Sequence, residues 1–181
     1  MTNYFNDMAA VSRLDSEVWA RIGQSRRALH YTVANVLSLG LIYGLSVLVF
    51  GRRLLDPGAT FNPLLIMMVG ISVAFLVHGG AALYIWMFCR GIGGTAAFFP
   101  FYLHVGVAAI GFWFAAPAVA LAQTGARGPA LALYLAASFF YALAVLYPAV
   151  RQAAALSNRR MAIAAVLTLI FVGCLLYLWA F

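Results

Sequence analysis

Acidic side chains are nearly missing from this chain of 181 residues: Asp7, Asp15, Glu17 and Asp56 are the only four, and all lie outside its long apolar runs. No carboxylate is therefore available inside those runs to form an aspartate pair or to couple protons and cations to transport. Lysine is absent, so all eleven basic residues are arginine. Cysteine is scarce as well. Cys89 and Cys174 have neither a CxxC spacing nor the look of a disulfide framework, and read as small core or interface residues. There is also no GxSxG nucleophile elbow and no HExxH zinc motif. Together these absences lead us to expect no enzyme, no metal site and no resident cofactor.

What is abundant is apolar. Hydrophobic residues make up 66% of the chain and charged ones 8%, with a mean hydropathy of +0.99, outside the usual range of water-soluble domains. A helix needs about 20 apolar residues to cross a hydrocarbon layer roughly 30 Å thick. Five segments meet that length without internal charge: 29–50, 63–88, 98–123, 131–150 and 161–181. The expected fold is an all-α, polytopic membrane helix bundle of five transmembrane helices (29–181), preceded by a cytoplasmic amphipathic segment (1–28). Short loops imply antiparallel packing of successive helices.

The net charge of +7 is split among short segments between the apolar runs, which suits topology better than nucleic-acid binding. With the N-terminus inside, the inner side holds Arg13, Arg21, Arg26, Arg27, Arg90, Arg151, Arg159 and Arg160, and the outer side Arg52, Arg53 and Arg127. Positive loops stay cytoplasmic, so the count favours a cytoplasmic N-terminus and a C-terminus on the opposite side. The first apolar run starts near residue 29, after acids as well as arginines, unlike a cleaved signal peptide, and the N-terminus is expected to be retained.

Within the first segment, Val11, Leu14, Val18 and Ile22 share one helical face with Trp19 beside it, while Arg13, Asp15 and Glu17 point elsewhere. Asn6 or Asp7 is placed to cap its start. Such a helix fits the headgroup layer, with Trp19, Arg26, Arg27, Arg159 and Arg160 at the membrane interface, or the surface of its own bundle or of a partner. Tyr31, Trp86, Tyr102, Tyr177 and Trp179 are further interfacial anchors. Pro117 is expected to kink the third run, and Pro148 to shape the end of the fourth.

Polar residues inside apolar runs are costly and so informative. His78 and His104 fall at depths differing by about 6 Å, close enough to face one another across a helix pair. His30, at the membrane boundary, is given no role. Gly70 and Ala74 lead to His78, and Ala108, Gly111 and Ala115 follow His104, forming small-residue stripes expected to face other helices. Gly40 and Gly44 form a GxxxG pattern with the same meaning. Two buried histidines hydrogen-bonded between helices is the plain reading. The sharper one is bis-histidine ligation of a b-type haem, although no carboxylate is at hand to orient either ring. The loop 90–95 (RGIGGT) lacks a P-loop lysine and reads as a tight turn.

The stretch from His78 through Phe99 (HGGAALYIWMFCRGIGGTAAFF) resembles the bacterial branch of the Yip1-domain family, in which a helix with an early histidine ends in an arginine and a GG turn followed by an aromatic. The tail is similar too: Tyr147-Pro148-Ala149-Val150 runs into Arg151, then Leu156-Ser157 and Arg159-Arg160 lead to a final alanine-rich helix. The resemblance covers 64–181 with the five-helix layout. It implies a polytopic membrane protein without an established reaction, and a bacterial inner membrane. The DLYGP motif of eukaryotic members is missing, so their Rab-linked trafficking role is not implied, and no catalytic residue carries over.

The expected function is contact: an accessory or scaffolding subunit of a membrane complex, or an organiser of the membrane, with the lipid bilayer and a membrane protein or a second copy as partners. The alternatives are a small haem electron carrier using His78 and His104, and a permease for a small neutral solute.

Overall fold

A computed structural model describes residues 2–23, 27–54 and 62–180, with side chains for 4–22, 27–51 and 62–170. Arg26 and Asp56 lie outside the described residues, as do the side chains of Arg52, Arg53, Cys174, Tyr177 and Trp179. All regular elements among the described residues are helical: α1 (Thr2–Ser12), α2 (Glu17–Gly23), α3 (Arg27–Leu54), α4 (Pro63–Gly91), α5 (Phe98–Ala108) continuing into a 3-10 turn (Ala109–Phe112), α6 (Ala115–Gln123), α7 (Pro129–Ala154) and α8 (Asn158–Ala180). Three of them, Arg27–Gly51 of α3, α4 and α7, are long and apolar enough to cross a membrane. The pair Phe98–Phe112 and Ala115–Gln123 adds a fourth if taken as one bent span.

The helix ends follow local chemistry. Asn62 caps α4 by accepting from the backbone N–H of Leu64 (3.0 Å) and Leu65 (3.3 Å), with Pro63 in the first position, where its missing N–H costs nothing. Its other end closes with Gly93 at φ +96°, the N–H of Gly93 reaching Arg90 O (3.1 Å) and that of Gly94 reaching Cys89 O (2.7 Å). This is the Schellman arrangement. Two non-glycine residues repeat it. Ala155 (φ 53°) ends α7, and Leu14 (φ 63°) ends α1, with Leu14 N–H to Val11 O and Asp15 N–H to Ala10 O, both 3.0 Å.

The Leu14 cap corrects the expectation of one interfacial helix before the bundle. It splits the segment into α1 and α2 and turns Leu14 outward, while Met8, Val11, Val18, Trp19 and Ile22 are buried against Tyr31 of α3, Val107 and Ala108 of α5, and Val145 and Ala149 of α7. The amphipathic face is thus spent on the chain's own bundle. Trp19, expected at a membrane interface, is 1% exposed. Neither Asn6 nor Asp7 caps α1, which begins at Thr2. Asp7 sits mid-helix, accepting from Arg21 (2.7 Å) and from the Tyr31 hydroxyl (2.9 Å).

This latch yields a prediction. Asp7→Ala is expected to cost about 2 kcal/mol, because a buried carboxylate bond to Tyr31 is lost. Arg21→Ala is expected to cost less than about 1 kcal/mol, since the arginine side chain is 61% exposed and its ion pair well solvated. Limited trypsin digestion in mild detergent checks this: Asp7→Ala should accelerate cleavage at Arg13, and Arg21→Ala should barely change it.

Contacts fix the helix directions. Gly40 lies against Ile71 and Gly44 against Met67, so α3 and α4 run antiparallel. Thr32 bonds Leu103 O (2.8 Å) and Asn35 bonds Val107 O (2.8 Å), so α3 and α5 run parallel. At one end of α7, Ala154 O accepts from Thr95 N–H (3.4 Å), while nearer its other end the Tyr134 hydroxyl donates to Phe114 O (2.9 Å). α7 is therefore antiparallel to α5. Its 26 residues extend about 39 Å, which places the 92–97 and 124–128 turns at opposite ends of the bundle.

The third apolar run is bent by 70°. Pro117 occupies the first turn of α6, where its ring is tolerated, and the helix gives way just before it, around Trp113, the position i−4 whose carbonyl the ring displaces. The break is tied down by neighbours: Trp113 Nε1 donates to Asn35 O (3.1 Å), and Phe114 O accepts from Tyr134. Pro148, by contrast, lies inside α7, which continues to Ala154.

Candidate functional site

Bending α5–α6 while α4 stays regular leaves a cavity of about 380 Å³ between α3, α4, α5–α6 and α7. Its wall contains Gly70, Ala74 and Ala81 from α4, with Ala109, Ala115 and Ala116 from the bent segment, and these short side chains leave the volume open. Bulkier walls come from Val73, Val77, Phe112 and Phe139. Three lining side chains are polar: Tyr43, Gln123 and His78. The Tyr43 hydroxyl donates to Gln123 Oε1 (2.5 Å) where both are exposed. None of the lining side chains carries a full charge as Asp, Glu, Lys or Arg would.

His78 is 6% exposed, and its Nε2 is buried without a hydrogen-bond partner among the described residues. Its ring rests on Tyr102 of α5, with centroids 4.3 Å apart. A buried polar atom left alone costs about 1–3 kcal/mol, and among the described residues this nitrogen shares that state with Trp19 Nε1, which lies away from the cavity in the N-terminal core. His104 is also buried, but its Nδ1 is paired with Pro100 O (2.8 Å), one turn back on its own helix, and it is not among the residues lining the cavity. The α5 ring that His78 meets is that of Tyr102. No group of three His, Cys, Asp or Glu that could hold a metal occurs among the described residues.

The small residues divide between two tasks. A Cβ on Gly40 would come within 2.6 Å of the Ile71 backbone, and one on Gly70 within 2.7 Å of Gly40 O, so Gly40, Gly44 and Gly70 form a direct backbone crossing of α3 and α4. Gly111 lies close to Ala142 and Val145 of α7. Ala108 is fully buried in the core shared with α1 and α2. Gly70, Ala74 and Ala115 line the cavity.

Arg159 and Arg160 are exposed at the start of α8, with the Arg160 guanidinium close to Gly93, and Arg90 lies over the Trp86 ring at 5.9 Å. Arg27 begins α3. The arginines flanking the 92–97 and 155–157 turns, Arg90, Arg151, Arg159 and Arg160, therefore gather at one end of the bundle, and Arg127 at the other.

Sequence reasoning passed over a second polar group. Asn35 is fully buried on α3, accepting from the Tyr4 hydroxyl (2.6 Å) and donating to Val107 O, with Met8 Sδ at 3.2 Å. Burial pushes the Tyr4 phenol up from its ordinary value, which keeps it a donor. Thr32 is buried one turn away, and a Cβ on Gly106 would overlap it. The signal was present: Thr32 and Asn35, three apart in an apolar run, share a face that has to find polar partners. Asp7 and Asn35 thus form a buried polar latch separate from the cavity, while Ser46, His104 and Ser138 bond carbonyls of their own helices. No family model, no curated protein and no solved structure matches the chain.

Proposed function

We propose that this chain is a five-span membrane protein that acts without catalysis, through contact, as an accessory or scaffolding subunit of a membrane complex or as a membrane organiser. The observation that carries the reading is the outward face of α4. Leu65, Leu76 and Met87, which fall on one side of the helix, are 59%, 75% and 59% exposed there, on a helix long enough to cross a membrane. A face of that composition needs lipid or another helix against it.

The bent α5–α6 segment is the third span and α8, at 23 residues, the fifth. The gathering of Arg90, Arg159 and Arg160 at one end supports a cytoplasmic N-terminus on the positive-inside rule. A bacterial inner membrane and a Yip1-like ancestry remain part of the same proposal, in keeping with the turn of 90–95 and the short loops. The N-terminal helices, occupied by their own bundle, leave the lipid-facing sides of α4 and α7 as the surfaces for a partner or a second copy.

The test is purification from the native membrane in mild detergent, with an absorption spectrum and mass spectrometry of what accompanies the chain. A stoichiometric membrane-protein partner or a defined homo-oligomer, without pigment, is the expected result. A Soret band lost on replacing either His78 or His104 would replace this reading with haem electron transfer.

A further inference from the structure

We infer that the cavity between α4 and the bent α5–α6 segment is a binding site for a neutral single-chain lipid whose one oxygen-bearing head group, a hydroxyl or a carbonyl, pairs with His78 Nε2. Three observations converge on that chemistry. The first is shape: the lining on α4 runs from Gly70 to Ile85, about 22 Å along the axis, so the space is drawn out along the helix and suits a chain better than a compact ring.

The second is polarity. The walls are aliphatic and aromatic and include no Asp, Glu, Lys or Arg, so an ionised phosphate or carboxylate head would be buried without a counter-charge. A neutral head avoids that cost. The third is the unpaired nitrogen itself. His78 lines the cavity with Nε2 itself closed off in the ligand-free protein, so the ring has to turn for a head group to reach it. It then donates or accepts according to tautomer; a hydroxyl satisfies either form, and a carbonyl satisfies the N–H form. At one end of the cavity Tyr43 and Gln123 already satisfy one another, and the side between α4 and α7, where Val77 and Phe139 are 63% and 43% exposed, is the entrance.

The inference rests on the membrane setting proposed above and is independent of the accessory role. The experiment is native mass spectrometry of the full chain, delipidated in mild detergent and titrated with geranylgeraniol, a short-tailed ubiquinone and palmitate. A one-to-one adduct with a neutral probe is expected, the alcohol and the quinone telling hydroxyl from carbonyl, with at least roughly tenfold weaker binding of palmitate. Ala116→Leu, which fills the cavity, should abolish the adduct. His78→Leu should weaken it roughly tenfold while raising the melting temperature of the ligand-free protein, because the unpaired nitrogen is gone.

If Ala116→Leu does not fold, the opposed effects of His78→Leu on binding and on stability decide alone. Failure of both neutral probes to bind, equal binding of palmitate, or adducts unchanged in His78→Leu would overturn the inference. Such a failure leaves the partner found by co-purification untouched, so the two proposals fall separately.

Discussion

Asn35→Ala is expected to destabilise the folded chain by about 3 kcal/mol, the largest single effect of a side-chain truncation in this structure. The amide joins α1 to α3 and α3 to α5, and it is fully buried. Truncation leaves the Tyr4 hydroxyl and Val107 O without the partner they now share, and empties the space beside Met8. Asn35→Asp is no remedy, since a carboxylate cannot donate to Val107 O. Equilibrium unfolding in mixed detergent, followed by tryptophan fluorescence, measures the loss. If Asn35→Ala unfolds within about 0.5 kcal/mol of the parent, the network is not holding the helices together.

The crossing of α3 and α4 supplies the second large effect. Gly40→Ala is expected to cost about 2 kcal/mol, because the new methyl meets backbone and not the end of a flexible side chain. Gly79→Ala and Gly80→Ala sit on α4 as well, but nothing lies within 4 Å of a Cβ at either position. They should be neutral or stabilising by up to about 1 kcal/mol from helix propensity alone. The same unfolding assay separates the cases. Equal losses at Gly40 and Gly79 would show that glycine flexibility, and not close approach, sets the cost.

The apolar runs of 29–50, 63–88 and 131–150 were legible because length and lack of charge are sufficient to mark them, and each lies within a helix, α3, α4 or α7. Helix ends were legible where the residue type is distinctive, as at Asn62-Pro63 and Gly93. They were not legible at Leu14 or Ala155, whose left-handed backbones no residue preference announces. That single cap at Leu14 is why one amphipathic helix became two, and why Trp19 lies inside a core.

The cavity was illegible for a related reason. Gly70, Ala74 and Ala115 read equally well as a packing stripe or as the wall of a void, and only the 70° bend at Trp113–Pro117 decides between them. Pro117 announced a bend but not its size, because the angle is held by Asn35 and Tyr134, far away in sequence. His78 was recognised as unusual from its setting, whereas its neighbour across the interface, Tyr102, was read as an anchor.

In the proposed topology α5–α6 crosses the membrane once and the chain threads it five times. Cysteines placed in the two flanking turns of a cysteine-free background, Thr95→Cys and Ala126→Cys, test it with a membrane-impermeant maleimide applied to intact and to permeabilised spheroplasts. That topology predicts that Ala126→Cys reacts in intact spheroplasts and Thr95→Cys only after permeabilisation. Labelling of both from the same side would make α5–α6 a re-entrant loop, and the five-span account would be wrong.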